Sequence, residues 1–216
     1  MPAPLNLPVQ AAAKSVLAQL VDHITPDSTE ASIARIAADM LTQLGYPDTW
    51  YYDCPAFVLL GSRSQASVSG RDYQPSEEAV GLQNLVTVDL SPRSGTLWGD
   101  CARSFYVEDG ICRTLPLGDE FTRGYEAETT FNDLYELANE SIIDAGFENL
   151  DFLGNVGHSI CEQRDQRLYI ESGNNRRLGE VICFTFEPHI RLRTGKWGYK
   201  HENIYYFNDD GTPCEL

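Results

Sequence analysis

The spacing of apolar residues in the first part of the chain predicts two helices. Apolar side chains recur at helical spacing from Val9 to Ile24, which indicates a first helix. A second helix is predicted within TPDSTEASIARIAADMLTQLGYP. Ser28 or Thr29 can cap its first turn, and Gly45 can end its last turn.

Shorter apolar segments in the rest of the chain predict strands. These segments are AFVLLG, NLVTVDL, CARSFYV, VICFTFEPHI and YKHENIYYF. A long third helix is predicted between them, from near Phe121 to Ala145, and the polar stretch SRSQASVSGRDYQPSEE is predicted to be a loop. The order of elements favours one α+β domain over residues 1–216, with a mainly antiparallel sheet and helices on one face.

Carboxylates interrupt three of the predicted strands. Asp89, Glu187 and Glu202 each lie in an otherwise apolar strand, and Asp100 follows a Pro/Ser/Gly turn after Asp89. Two buried carboxylates about 4 Å apart repel by about 4 kcal/mol at an effective dielectric of about 20. A pair of divalent cations would compensate them and would supply a bridging hydroxide as a hydrolytic nucleophile.

One histidine follows a turn that contains glycine. His158 follows Gly157 in GNVGHSI, where glycine allows the backbone to bring the imidazole close to a site. A single histidine is more often structural than metal-binding, so His158 alone carries little weight.

The ordered motifs that contain these residues resemble those of a known superfamily. VDLSPRSGTLWGDCARSF, GHSI, FTFEPHI and GYKHENIYYF are similar to the metal-binding blocks of the methionine aminopeptidase and Xaa-Pro aminopeptidase (prolidase, creatinase) superfamily. The resemblance spans nearly the whole chain. It implies the pita-bread fold, in which a curved sheet with helices on its outer face forms two pseudo-symmetric halves.

The resemblance also implies a set of metal ligands and a hydrolytic activity. Asp89 would bind one ion, Asp100 and Glu202 would bridge two ions, and His158 and Glu187 would complete the second site. Glu187 and His158 would be the catalytic residues, with Glu187 handling the proton of the attacking water. The cofactors would be two divalent ions, and this donor set suits Mn, Co, Fe or Zn.

The chain departs from the superfamily pattern in the residues that handle the substrate. The loop SQASVSGRDYQPSEE contains no histidine, and the segment after GHSI has Glu162, Arg164, Asp165 and Arg167 where a second histidine is usual. These histidines stabilise the tetrahedral intermediate, a contribution of about 3 kcal/mol. The departures predict an atypical specificity pocket.

Other residues are candidates for substrate binding. Arg71, His189 and Lys200 are the first candidates, because they lie near the expected site in sequence. Arg71, Arg164 or Arg167 could bind a substrate carboxylate in bidentate fashion, although solvent exposure is the commoner role of any one of them.

Charge and composition limit the partners. The formal net charge is −16, with 32 acidic and 16 basic residues, which disfavours binding to nucleic acid or to an anionic membrane. No apolar run is long enough to span a membrane, and no secretory signal is visible, so a cytoplasmic location is expected. The expected partner is a small peptide or amide-like molecule, and the formation of a homodimer is left open.

Three functions follow from this pattern. The first is a metallopeptidase-like hydrolase that acts on a small peptide or amide. The second is a non-peptidase metalloenzyme that acts on a small metabolite with the same metal ligands, because a fold does not fix a reaction. The third is a pseudoenzyme that binds another protein, against which the complete ligand set argues.

Overall fold

The computed structural model describes residues 4–115 and 125–216. Its first two α-helices are Leu7–Leu20 (α1) and Glu30–Gln43 (α2), and a short 3-10 helix extends α1 to His23. The predicted cap of α2 is confirmed. The Thr29 hydroxyl accepts a hydrogen bond from the Ser32 amide, and the Ser32 hydroxyl accepts one from the Thr29 amide.

The third helix begins later than the sequence pattern suggested. It spans Phe131–Asp144 (α3), so the predicted start near Phe121 is wrong for the described residues from 125 onward, and residues 116–124 lie outside the described part. Thr130 caps the helix through a reciprocal pair of hydrogen bonds with Asp133. The four residues of this capping box are TFND in the sequence, and they mark the point where α3 begins.

The strands are short, and several of them escape detection from periodicity. In the described residues they are β1 (Asp48–Thr49), β2 (Ala56–Leu60), β3 (Asn84–Leu90), β4 (Pro92–Ser94), β5 (Leu97–Trp98), β6 (Cys101–Glu108), β7 (Ile111–Thr114), β8 (Phe147–Asn149), β9 (Phe184–Phe186), β10 (His189–Leu192), β11 (Tyr199–Lys200), β12 (Asn203–Phe207) and β13 (Pro213–Glu215).

Two antiparallel sheets meet at the centre of the molecule. The first has the order β2-β3-β6-β7, and the second has the order β13-β12-β9. The backbones of Ala102 and Glu202 join them, because each amide donates to the other residue's carbonyl, at 3.4 and 3.0 Å. Two smaller sheets, β1-β4-β5 and β11-β10-β8, lie beside them.

Each half of the molecule has its own apolar core. The first core joins α1 and α2 to β2, β3 and β6, and the second joins α3 to β9 and β12. A third cluster contains Trp50 and Trp98, whose rings stack with centroids 4.5 Å apart and planes 6° apart. The predicted α+β architecture with antiparallel sheets is confirmed. In the two described ranges, no helix has the length and apolarity needed to cross a bilayer.

Candidate metal centre

The two aspartates lie on neighbouring strands of the first sheet. Asp89 is near the end of β3 and pairs with Ala102 of β6, whereas Asp100 immediately precedes β6. Asp89 is half-buried and Asp100 is buried, with only 3% of its surface exposed. The β3–β6 pairing therefore brings both carboxylates to one region between the two halves.

Helix α1 holds the backbone of Asp100 in place. The side-chain amide of the fully buried Gln10 donates to the Asp100 carbonyl at 2.9 Å, and its oxygen accepts from the Asp100 amide at 2.8 Å. The Trp50 indole donates to the carbonyl of Gly99 at 3.0 Å. Neither contact was expected from the sequence, because no local motif links residues so distant along the chain.

The histidine is fixed by its backbone and by its own ring. A Cβ on Gly157 would lie 2.2 Å from the Thr185 carbonyl oxygen, so only glycine allows this approach of His158 to β9. The His158 Nδ1 lies 3.0 Å from the Ser159 carbonyl and donates to it, which leaves the Nε2 lone pair free. Burial is the main cause that lowers the pKa of His158 to about 4, so the imidazole is neutral at pH 7.

His158 Nε2 points at carboxylates. It lies 3.5 Å from Asp100 Oδ2 and 3.6 Å from Glu187 Oε1. Ligand atoms of Asp100, His158 and Glu202 lie within 4.8 Å of one another. In the described residues, Asp100 Oδ2 and both carboxylate oxygens of Glu202 accept no hydrogen bond.

Buried carboxylate oxygens that accept no hydrogen bond are unfavourable unless a cation compensates them. Burial and the neighbouring carboxylates raise the pKa values of Asp100 and Glu202 well above their ordinary range. Two carboxylates and one neutral imidazole are a donor set that suits a divalent transition metal. The three residues therefore fit one such ion.

Lys200 lies among the other acidic side chains. Its Nζ is 2.5 Å from Asp89 Oδ2, 2.9 Å from Glu187 Oε2 and 3.4 Å from Glu202 Oε2. Burial lowers the pKa of Lys200, but Asp89 and Glu187 outweigh burial and raise it well above the ordinary value. For Glu187, burial raises the pKa, but Lys200 and His158 lower it to about 2. The pair is therefore charged at pH 7.

A cavity of about 510 Å³ opens above these residues. Its wall includes Trp50, Tyr51, Tyr52, Arg167 and Tyr169, together with parts of the loop after β2. The guanidinium carbon of Arg167 lies 5.2 Å from the Trp50 ring centroid and 5.3 Å from that of Tyr169. The Trp50 ring also meets the His158 ring edge-on, with centroids 5.8 Å apart. The cavity thus connects an aromatic wall to the candidate metal ligands.

The predicted substrate-binding residues have different positions. His189 lines the cavity, but its Nε2 lies 2.6 Å from the Ser64 carbonyl, and burial lowers its pKa to about 4. Arg71 is exposed and does not line the cavity; it donates to the Tyr52 hydroxyl at 3.1 Å. Arg164 stacks on the same tyrosine, 3.5 Å from its ring centroid. The sequence could not separate these arginines from Arg167, which does face the cavity.

Comparisons with known proteins identify the family. The model of metallopeptidase family M24 matches residues 8–209. The chain belongs to metallopeptidase family M24. This match confirms the resemblance found in the motifs, and members of this family use divalent metals. No curated protein matches the chain by sequence.

Solved structures show that the chain has the pita-bread fold of M24 enzymes. It is similar to X-Pro aminopeptidase from Thermotoga maritima, with a TM-score of 0.74 and 18% identity over 96% of this chain and 58% of that one. For prolidase from Pyrococcus furiosus, the TM-score is 0.73 and the identity is 16%, over 96% of this chain and 61% of that one. For methionine aminopeptidase from Thermotoga maritima, the TM-score is 0.72 and the identity is 15%, over 96% of this chain and 93% of that one. The chain thus spans about three fifths of the two prolidase-type structures and nearly all of the methionine aminopeptidase.

Proposed function

We propose that this M24 chain is a metal-dependent hydrolase that acts on a small peptide or amide carrying a carboxylate group. The observation that carries the proposal is the convergence of Asp100, His158 and Glu202 beside the cavity that Asp100 and His158 line, with three buried carboxylate oxygens that accept no hydrogen bond from the described residues. A divalent ion of Mn, Fe, Co or Zn would be held by these residues. When bound, it would acidify water and polarise a carbonyl oxygen.

The residues around this ion have separate roles. His158 offers a neutral Nε2 because the Ser159 carbonyl fixes the proton on Nδ1. Glu187 remains ionised, and its Oε1 faces His158 while Lys200 holds its Oε2. Glu187 is therefore placed to accept the proton that water releases on attack, and Lys200 keeps this carboxylate in one orientation.

Arg167 is the candidate that selects a carboxylate in the substrate. Its Nε donates to the Arg164 carbonyl at 3.0 Å, and its terminal nitrogens have no hydrogen-bond partner in the described chain. Stacking between Trp50 and Tyr169 limits the freedom of the guanidinium, so a bidentate bond to a carboxylate loses little conformational entropy. Arg167 lines the same cavity as Asp100, His158 and Glu187, so a carboxylate bound to it would lie in the cavity that the candidate ligands border.

The absence of the usual histidines bears on substrate choice. The loop at 64–78 has no histidine in its sequence. Asp165 lies in the segment after GHSI where a second histidine is usual, and its side chain is exposed. An amide that is polarised or anchored by its own carboxylate needs less help from such donors. We therefore propose that Met-initiated peptides are poor substrates.

A substrate panel tests the proposed function. The purified chain is supplied with Mn, Co or Fe under anaerobic conditions and assayed with Met-Ala-Ser, an Xaa-Pro dipeptide and small carboxylate-bearing amides. We expect the last group to have the highest kcat/KM, and we expect chelation to abolish turnover. Cleavage of Met-Ala-Ser with a kcat/KM of about 10⁴ M⁻¹s⁻¹ or more would contradict the proposed specificity. Full activity after complete metal removal would contradict metal dependence, and turnover of none of the amides would favour the non-peptidase alternative.

A further inference from the structure

The five acidic and imidazole ligands predicted from the sequence fall into two groups in the structure. Asp100, His158 and Glu202 converge, and their carboxylates contain the oxygens without hydrogen-bond partners in the described residues. Asp89 and Glu187 instead face the ammonium of Lys200, at 2.5 and 2.9 Å. Lys200 Nζ also lies 3.4 Å from Glu202 Oε2, but Asp100 Oδ2 and Glu202 Oε1 have no cationic partner in the described residues.

The main chain fixes the position of Lys200. Its amide donates to the Ser104 hydroxyl at 2.9 Å, and this hydroxyl lies 3.2 Å from the Lys200 carbonyl, to which it can donate. On the other side, Lys200 pairs with His189 in the β10–β11 ladder. The lysine backbone is therefore held between β6 and β10, and its side chain reaches the carboxylates from a fixed base.

An ammonium group and a divalent ion compete for the same oxygens. Lys200 Nζ lies within 3.4 Å of oxygens from Asp89, Glu187 and Glu202. A second ion held by Asp89 and Glu202 would need carboxylate oxygens that now lie against Nζ. Binding of that ion would require the Lys200 ammonium to move away from the carboxylates of Asp89 and Glu187. Breaking such ion pairs inside a buried site is costly.

We infer that Lys200 takes the place of the second divalent ion, so that the chain binds one metal ion at Asp100, His158 and Glu202. This inference rests on the proposed metal-dependent function but differs from the two-ion arrangement that the resemblance implies. Asp89 and Glu187 then serve to hold the lysine, and Glu187 also faces the metal side through its Oε1.

Metal stoichiometry tests the inference directly. The metal-free chain is titrated with Mn²⁺ by calorimetry, the ion content is measured after gel filtration, and the electron paramagnetic resonance spectrum shows whether the ions are isolated or coupled. The variant is Lys200→Met, which removes the ammonium and keeps an unbranched side chain. The matched control is Lys196→Met, which removes the same charge from an exposed lysine near Trp197.

We expect one isolated Mn²⁺ per chain in the wild type and in Lys196→Met, and two coupled ions in Lys200→Met. The second ion should bind at least about 10-fold more tightly to Lys200→Met than to the wild type. Two tightly bound, coupled ions in the wild type would overturn the inference and leave the proposed function intact. No bound ion in any variant would overturn both. If Lys200→Met does not fold, the wild-type stoichiometry and spectrum still decide.

Discussion

Asp100→Asn should change the stability of the chain in opposite directions with and without metal. The substitution keeps the shape of the side chain and removes one charge from a buried cluster in which ligand atoms of Asp100 and Glu202 lie within 4.8 Å. Two charges at that separation repel by about 3 kcal/mol at an effective dielectric of about 20. Because raised pKa values already relieve part of this repulsion by protonation, we expect the metal-free variant to gain about 1 to 3 kcal/mol in free energy of unfolding at pH 7.

The gain should depend on pH with a definite sign. The folded-state pKa of Asp100 is raised, so its ionisation destabilises the metal-free fold above that pKa and has no effect below the unfolded value. The difference between wild type and variant should therefore shrink as the pH falls toward the ordinary range of an aspartate. With metal, the wild type should gain about 2.7 kcal/mol when the ion is at 100 times its Kd, and the variant should gain far less.

Urea unfolding at several pH values, with EDTA and then with Mn²⁺, measures these differences. Asp27→Asn is a suitable control, because Asp27 is an exposed aspartate that precedes α2, outside the candidate centre. An Asp100→Asn variant that is less stable than the wild type without metal, or that keeps the full stabilisation by Mn²⁺, would refute the reasoning.

Further predictions concern two buried polar side chains and the choice of substrate. Gln10→Leu removes two hydrogen bonds to the Asp100 backbone, and should cost about 2 kcal/mol in unfolding free energy and weaken Mn²⁺ binding in a calorimetric titration. Glu30→Leu removes three hydrogen bonds accepted from the segment 60–76, and should cost about 3 kcal/mol in urea unfolding. Arg167→Gln should lower kcat/KM for carboxylate-bearing amides by at least about 10-fold but leave their methyl esters unaffected, whereas Arg176→Gln should change neither. Equal losses on acids and esters would contradict a carboxylate anchor.

Local signals account for the parts of the fold that the sequence could predict. Thr29 and Gly45 mark the ends of α2 through capping and a positive φ of 91°, which are properties of a few adjacent residues. The apolar runs of β2 and β3 are long enough to show strand character. The start of α3 was missed because apolar residues before Thr130 continued the pattern, although the capping box there was a stronger signal.

The site could be predicted only in part, because its geometry depends on long-range register. The acidic residues stood out because carboxylates are unusual in apolar strands. The partners of those carboxylates could not be recognised in the sequence, because Lys200 and Asp89 are more than a hundred residues apart in the chain. The contacts from Gln10 to Asp100 have the same origin, because they require the packing of α1 against the end of β5 and the start of β6.

The fluorescence of the stacked pair Trp50 and Trp98 can report on the candidate metal centre. Two of the three tryptophans form this stack, and the Trp50 ring lies 5.8 Å from the imidazole of His158. A paramagnetic ion such as Mn²⁺ or Co²⁺ at that imidazole would quench the emission of the pair at this short range, whereas Zn²⁺ would leave it bright. Intrinsic fluorescence can therefore follow occupancy of the centre in real time, without a label or a substrate.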